Sequence, residues 1–332
     1  MTTANHPKAP LLGVVMNLRL FIRPVLVLLL APCAVGQQSL KGIPTRAEEL
    51  RQIAMCEAAV KEAESTHASD AVLATLYTGL ASLYEDTARY DESEAVLEHA
   101  ISLLRRNPGL PGLLAEDINN VGLLHAEMGK LREAESEELE ALKLREAAGD
   151  SLEIARSWNS LAGLYFRHRK YAAAGDFFRR AMNEFTVNQG AGIVDRVSSR
   201  FGLAQALCAM NDCSSAIPLL KDGIDIARTE CRPGDYPIGM GEYFLGLAYW
   251  RSGNLFEAGQ HLEQGTAIMK EQLGWGHPAY LNALKQYAQF LRKSRRVEDA
   301  KAVERQIRLA EDVVDVHSIQ TRKGVDALAG LR

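Results

Sequence analysis

Small side chains return along the chain at a nearly constant spacing of forty to forty-two residues. The six members of this first ladder are Ala81, Gly122, Ala162, Ala204, Gly246 and Ala288. Twelve residues after each of them stands a second small residue, in a ladder made of Ser93, Ala134, Ala174, Ala216, Ala258 and Ala300. A third ladder lies nineteen residues after the first and contains Ala100, Ala141, Ala181, Gly223 and Gly265, with Ile307 as its exception. Three ladders in one phase predict a chain built from repeated units.

Within each unit the apolar positions recur every three or four residues, which predicts helices. Antiparallel helices approach closely where small residues face each other, so each unit is predicted to be a helical hairpin. A single hairpin cannot bury both of its faces, and the hairpins are therefore expected to stack. The predicted pairs are 69–87 with 90–104, 110–128 with 131–148, 152–168 with 171–187, 193–210 with 214–230, 238–252 with 255–272, and 278–294 with 296–311.

The residues of the third unit resemble a known repeat. Trp158, Leu161, Ala162 and Tyr165, followed by a small residue and then Phe178, have the spacing of the tetratricopeptide repeat. That motif normally has a period of ~34 residues. The longer period here is similar to that of the kinesin light chain variety of the repeat. A HEAT or armadillo array is the alternative at this period, but it does not predict the second ladder or the aromatic residue four positions later.

Two further features carry the same resemblance, which covers roughly residues 70–310. They are the Asn119-Asn120 pair before Gly122 and the Leu-Gly-Trp-Gly-His-Pro sequence at 273–278. The resemblance implies an all-α fold, a right-handed α-solenoid of about six helix-turn-helix repeats. It also implies a non-enzymatic scaffold whose first helices line a concave groove that binds a protein or an extended peptide.

Two units depart from the motif in their second helices. Glu138 and Glu304 stand where the repeat has an aromatic residue, and these helices are predicted to pack less tightly. Glutamates are dense from Glu133 to Glu140, which is typical of a solvated helix face, with cation binding as the alternative. In the fourth unit Ser214 is the predicted N-cap, which would place Pro218 in the first turn, where its missing N–H is tolerated.

The segments outside the repeats are predicted separately. Residues 1–36 read as a signal peptide, because they contain no acidic residue, carry Arg19 and Arg23, and continue through an apolar run at 25–31 to a small-x-small site. Met16 is an alternative start, and a lipoprotein signal at Cys33 is a weaker alternative. Residues 37–69 contain a cap helix at 45–64. In the tail, 311–332, residues 312–317 alternate like a short strand and 320–332 read as disordered.

Composition and cysteine usage narrow the possible functions. The chain carries a formal net charge of −4, and loss of Lys8, Arg19 and Arg23 with the signal peptide would leave −4 − 3 = −7. A net negative chain without basic runs is a poor candidate for binding nucleic acid. The predicted location is exported, either periplasmic or secreted. Such compartments favour disulfides, and Cys208 with Cys213 is the one pairing of mature cysteines that helix geometry allows, with buried thiols as the alternative.

No catalytic, metal or cofactor site is predicted. The chain has no His-Glu-x-x-His, Cys-x-x-Cys, phosphate-binding glycine loop or Gly-x-Ser-x-Gly sequence. His125 occupies the position of Tyr84 and Tyr165 and is interpreted as a packing residue. The alternative function is a regulatory or structural subunit of an envelope or enzyme assembly, without a groove-bound peptide.

Helical spacing selects the residues that would line the groove. Positions six and three before each member of the first ladder, and one, four and five after it, share a face. The charges predict a groove that is acidic at its N-terminal end and basic at its C-terminal end, with aromatic anchors between and asparagines that bond the ligand backbone. The alternative is an ordinary solvated face with some of the aromatics in the core. The predicted binding residues are Asn119, Asn120, Arg156, Asn159, Phe166, Arg167, Phe201, Tyr243, Trp250, Arg251, Lys285, Arg292 and Lys293.

Overall fold

The computed structural model describes residues 46–275 and 277–311, and every regular element in those ranges is an α-helix. The all-α prediction is therefore confirmed there. The predicted signal peptide, the strand-like segment 312–317 and the tail 320–332 lie outside the described residues. The chain divides into two compact units, Met1–Val96 and Leu97–Arg332, which are described separately.

The first unit contains α1 (Arg46–Ser65), α2 (Asp70–Asp86) and the start of α3 (Tyr90–Arg105). Two tyrosines of α2 bond to α1. The hydroxyl of Tyr77 donates to Glu64 Oε1 at 2.5 Å, and that of Tyr84 donates to Glu57 Oε1 at 2.8 Å. Burial, reinforced by these carboxylates, raises the pKa of both tyrosines to about 12. The predicted cap helix is thus joined to α2 by hydrogen bonds as well as by apolar packing.

The second unit contains the end of α3 and ten further helices of its described residues. Pairs α4–α5, α6–α7, α8–α9, α10–α11 and α12–α13 are called repeats 2 to 6. All their ends lie within two residues of the predicted positions. The helices are α4 (Pro111–Glu127), α5 (Leu131–Ala148), α6 (Ser151–Arg167), α7 (Tyr171–Val187), α8 (Ile193–Ala209), α9 (Cys213–Glu230), α10 (Tyr236–Arg251), α11 (Leu255–Leu273), α12 (Pro278–Lys293) and α13 (297–311).

The three ladders lie in the core of the hairpins, where every member is buried, as is Ile307. Repeat 5 shows why small residues are needed. A Cβ on Gly246 would lie 2.7 Å from the backbone nitrogen of Leu262, and one on Gly265 would lie 2.5 Å from that of Tyr243. Helices α10 and α11 therefore approach so closely that any larger side chain would force their backbones apart.

The start of α9 differs from the prediction. Asp212, and not Ser214, is the N-cap, since its carboxylate accepts the backbone N–H of Ser215 at 3.2 Å. The helix consequently begins at Cys213, and Pro218 lies inside it rather than in its first turn. A carboxylate caps strongly enough to start the helix early. The proline then leaves the Ser214 carbonyl without its usual N–H donor.

The cysteine pairing that the sequence left open is present. Cys208, near the end of α8, and Cys213, at the start of α9, form a disulfide with their Cα atoms 4.3 Å apart. Cys56 and Cys231 are free thiols. The bond closes the turn between the two helices of repeat 4.

Candidate binding surface on the first helices

All thirteen predicted binding residues lie on the first helices of repeats 2 to 6, within the second unit. The structure gives them different environments. Some keep exposed or partly exposed side chains, some pair with carboxylates of the fold, and some are buried in the core. Their binding role stays a prediction, but the environments decide which of them a ligand can reach.

The ends of α10 and α12 carry the most open group. The Trp250 ring lies edge-on to Phe290, with ring centroids 5.7 Å apart, and Lys293 Nζ lies 5.4 Å from the Trp250 centroid. Trp250 is partly exposed, while Arg251 and Lys293 are exposed. An aromatic ring with a cation over it provides apolar contact and charge in one place, which is typical of interface anchors.

The six predicted cations fall into two classes. Arg156 bonds to Glu153 and to Asp195, Lys285 Nζ lies 2.8 Å from Glu311, and Arg292 forms a two-pronged bond to Glu304. Arg167, Arg251 and Lys293 make no ion pair with any residue that the structure describes. A cation whose charge is already balanced gains less from an anionic ligand, so three of the six remain suited to binding.

Repeat 3 keeps a second open group. Phe166 is partly exposed and packs against Tyr171 at a centroid distance of 5.3 Å, next to exposed Arg167. On the same helix the side-chain oxygen of Asn159 and the indole nitrogen of Trp158 are buried, and neither has a hydrogen-bond partner among the residues of the described ranges. The Asn159 oxygen is thus an unused acceptor within these ranges, but it is buried, and its predicted bond to a ligand backbone stays a prediction.

The aromatic residues in the middle of the predicted surface are core residues. Phe201 is 1% exposed and Tyr243 is 8% exposed, so neither offers a surface to a ligand. The prediction that they anchor a ligand is wrong, and the alternative that some of these aromatics lie in the core is correct. Cβ atoms on Gly223 and Gly241 would lie 2.5 and 2.7 Å from the Phe201 ring. These glycines let α9 and α10 close over Phe201, which the face of a single helix does not reveal.

Asn119 and Asn120 are also buried, and Asn119 is fully used within the fold. Its amide nitrogen donates to Glu138 Oε1 at 2.9 Å, and its oxygen accepts from Arg145 at 3.1 Å. Arg145 donates in addition to Ser157 Oγ at 2.6 Å, and so joins α5 to α6. We call Asn119, Glu138, Arg145 and Ser157 the polar core. Both ends of the Asn119 amide therefore already have a buried partner within the fold.

Glu138 is the residue that sequence reasoning placed wrongly in this region. It is 2% exposed, whereas the glutamate run was interpreted as a solvated face. Burial raises the pKa of its carboxyl to about 8, although the Arg145 guanidinium lowers it. The signal was present in the sequence, because Glu138 occupies an aromatic position of the repeat. The prediction of packing residue for His125 agrees with its burial and with its Nδ1 lying 2.9 Å from both Glu137 oxygens.

A second buried carboxylate lies in repeat 5. Glu242 accepts from Arg228 at 2.7 Å and lies 2.6 Å from His261 Nδ1, beside a cavity of about 180 Å³ between α9, α10 and α11. Glu242 occupies the position that Trp158 fills in repeat 3, four residues before the first ladder. The Glu242 carboxylate thus stands where repeat 3 has an indole, and it lines this cavity together with its partners Arg228 and His261.

Comparison with known proteins agrees with the repeats. Residues 72–147 and 153–229 match the family model of the tetratricopeptide repeat. Protein KINESIN LIGHT CHAIN-RELATED 3 of Arabidopsis thaliana is 24% identical over 237 residues, which are 69% of this chain and 36% of that protein. The chain therefore spans about a third of the length of this curated relative. Tetratricopeptide repeats and similarity to a kinesin light chain relative are both supported.

Solved structures show the same fold. BtubC (BKLC) from P. vanneervenii aligns with a TM-score of 0.59 at 21% identity, over 69% of this chain and 94% of its own. A Rap protein complexed with Competence and Sporulation Factor aligns with a TM-score of 0.55 at 17% identity, over 80% of this chain and 77% of its own. The fold is an all-α repeat solenoid, an architecture suited to protein–protein interaction. Within the described ranges, no helix combines the length and apolar character that crossing a bilayer requires.

Proposed function

We propose that these repeats form an exported, non-enzymatic scaffold that binds an acidic protein or peptide segment along the first helices of the second unit. The single observation that carries this proposal is the group at the ends of α10 and α12. There Arg251 and Lys293 are exposed and make no ion pair in the part of the chain that the structure describes, and Lys293 Nζ lies 5.4 Å from the centroid of the partly exposed Trp250 ring.

The chemistry of this group favours a carboxylate ligand. Two unpaired cations leave uncompensated positive charge, and hydrogen bonds between guanidinium or ammonium groups and carboxylates are among the strong ones. The Trp250 ring adds apolar contact next to them. Arg167 and Phe166 repeat the combination of cation and aromatic ring in repeat 3. An extended acidic segment with an apolar residue between its charges matches both places.

The other parts of the proposal have their own support. Export rests on the leader sequence of residues 1–36. Partner binding has a precedent in the Rap structure, which shares the fold and is complexed with Competence and Sporulation Factor. The absence of catalytic sequence motifs supports a scaffold rather than an enzyme.

The test uses two double charge reversals with the same change in net charge. Arg251→Glu with Lys293→Glu changes the proposed site. Lys143→Glu with Arg305→Glu changes second helices only, at exposed cations that also have no ion pair within the described ranges. Short fluorescent peptides rich in glutamate and leucine are titrated by anisotropy, with lysine-for-glutamate versions as the opposite charge. Arg292 is left unchanged, because its reversal would also break the bond to Glu304.

We expect the first double variant to weaken binding of the acidic peptides by ~10-fold or more, about 1.4 kcal/mol, and more at low salt than at high salt. The second double variant should bind as the wild type does. Equal binding by all three proteins, or equal losses in both variants, would exclude the group around Trp250 as the site.

A further inference from the structure

One edge of the second unit is formed by the turns inside the repeats. Two of these turns, 252–254 and 294–296, join α10 to α11 and α12 to α13. They are neighbours, since a Cβ on Gly259 in α11 would lie 3.8 Å from Arg296 Nη1 and 3.5 Å from the Phe290 ring. We call these two turns and the residues flanking them, from 251 to 256 and from 293 to 299, the turn edge.

Apolar side chains project from the turn edge. Phe256 is 71% exposed, Leu255 is 47% exposed, and Val297 is 44% exposed. Phe256 and Leu255 begin α11, and Val297 begins α13, so all three stand on first turns next to the loops. A phenylalanine that is exposed on the first turn of a helix contributes little to the core, and its apolar surface remains in contact with water. This points to contact with something apolar outside the fold.

The charges of the turn edge are unbalanced toward positive. Its carboxylates have cationic partners within the fold: Asp299 with Arg296 at 2.7 Å and Glu298 with Lys301 at 2.8 Å. Its other cations are exposed and make no ion pair in the described ranges; they are Arg251, Lys293 and Arg295.

We propose that the turn edge of the second unit docks on an anionic lipid surface, inserting Phe256, Leu255 and Val297 among the headgroups while the three cations contact lipid phosphates. Apolar side chains flanked by lysine and arginine are the combination by which a protein lies on a membrane without spanning it. Charge complementarity selects anionic lipids over neutral ones.

The opposite edge of the same unit provides the comparison that isolates charge. There Val187 is 74% exposed and Val194 is 63% exposed, at the end of α7 and the start of α8. The cations nearest to Val194 in sequence are paired, Arg196 with Glu230 and Arg200 with Asp222. Arg180, the cation nearest to Val187, lies over the Trp158 ring. Exposed valines without free cations should not hold an anionic surface, which makes Val187 the matched control position.

The experiment measures contact at one residue. Phe256→Trp and Val187→Trp are made in the full-length chain and mixed with vesicles of phosphatidylcholine alone or with a third of phosphatidylglycerol, each containing brominated lipid that quenches tryptophan. Trp158, Trp250, Trp275 and the leader are common to both variants, so only the new position differs. Phe256→Trp should be quenched by the anionic vesicles, less at high salt, and Val187→Trp should show no additional quenching.

A charge variant completes the test. Each lysine or arginine near an anionic surface contributes about 1 kcal/mol, about fivefold in affinity. Arg295→Glu in the Phe256→Trp background should therefore weaken vesicle binding at least fivefold, while Arg305→Glu should not. Equal quenching of the two tryptophan positions, equal quenching by neutral vesicles, or an unchanged affinity in Arg295→Glu would each overturn the proposal. Arg251 and Lys293 belong to both proposed surfaces, so the variants used here change only Phe256 and Arg295, which lie outside the peptide site. Failure of this test therefore leaves the peptide proposal standing.

Discussion

Repeats 2 and 3 use the same position of the second helix in opposite ways. Sixteen residues after the first ladder, repeat 3 has Phe178 and repeat 2 has Glu138. The Phe178 ring packs against the Cα of Gly202, so closely that a Cβ there would lie 2.3 Å from the ring. A Cβ on Gly122 would lie 3.3 Å from the Glu138 side chain, which accepts a bond from Asn119. One backbone arrangement thus accepts either an aromatic or a carboxyl side chain.

The difference has a functional consequence. The carboxyl of repeat 2 needs partners, and it engages Asn119, which also bonds Arg145. Repeat 3 has no such demand, and the oxygen of Asn159 on its first helix lacks a partner among the described residues. Both asparagines occupy the same position of the repeat. An apolar second helix leaves the side-chain oxygen of its asparagine without a bond in the described part of the chain, whereas a buried carboxyl engages the asparagine within the fold.

The largest effect is expected when the aromatic side chain at this position of repeat 3 is removed. Phe178→Ala removes a buried ring that packs with Ala162, Ala174 and Leu203, and should lower the free energy of unfolding by about 3–5 kcal/mol. Urea unfolding followed by circular dichroism measures it. The control is Phe177→Ala, a partly exposed neighbour, which should cost much less. Equal losses would show that position 178 is not a core position of the hairpin.

The buried carboxyl of repeat 2 should make the free energy of unfolding depend on pH. The folded pKa of Glu138 is about 8, above the usual 4.5, because burial disfavours the charged form. Below pH 4.5 the carboxyl of Glu138 is protonated in both the folded and the unfolded chain, and its contribution to the free energy of unfolding has its full value. Between pH 4.5 and 8 only the folded chain keeps it, so the free energy of unfolding falls as pH rises, by a few kcal/mol in total. Two charged groups act on the pKa of this carboxyl in opposite directions: Arg145 lowers it and Glu137 raises it.

Glu138→Gln is the control for this titration. The amide keeps the shape of the side chain but does not titrate. The free energy of unfolding, measured between pH 4.5 and 8, should therefore lose most of the pH dependence seen in the wild type. The amide oxygen can still accept from Asn119. A variant whose stability falls as steeply as that of the wild type would place the titrating group elsewhere in the chain.

The sequence predicted the helices well, because each ladder residue reports a contact inside its own hairpin. Burial at the first helices depends on how neighbouring hairpins approach, and a single helical face does not contain that information. Phe201 was therefore predicted as a lining residue, although Gly223 and Gly241 let α9 and α10 close over it. The partners of Arg156 and Arg292, on α8 and α13, are likewise visible only in three dimensions. The exposed cations of α10 and α12 needed no such information, and their exposure agrees with the prediction.

The smallest effect is expected in repeat 3, where a cation lies over the Trp158 ring. Repeat 2 has no aromatic ring at this position. The guanidinium of Arg180 lies 4.2 Å from the Trp158 ring centroid, whereas Ile118 fills the equivalent position in repeat 2. Arg180→Ala should lower the free energy of unfolding by about 0.5–1 kcal/mol, since Arg180 is exposed. Its neighbour Arg179 makes only a surface ion pair with Asp176, so Arg179→Ala should cost less. Tryptophan fluorescence distinguishes the two variants. Only Arg180→Ala uncovers the Trp158 indole, so only this variant should show increased quenching by iodide. Equal quenching in the two variants would mean that the stacking of Arg180 on Trp158 contributes nothing.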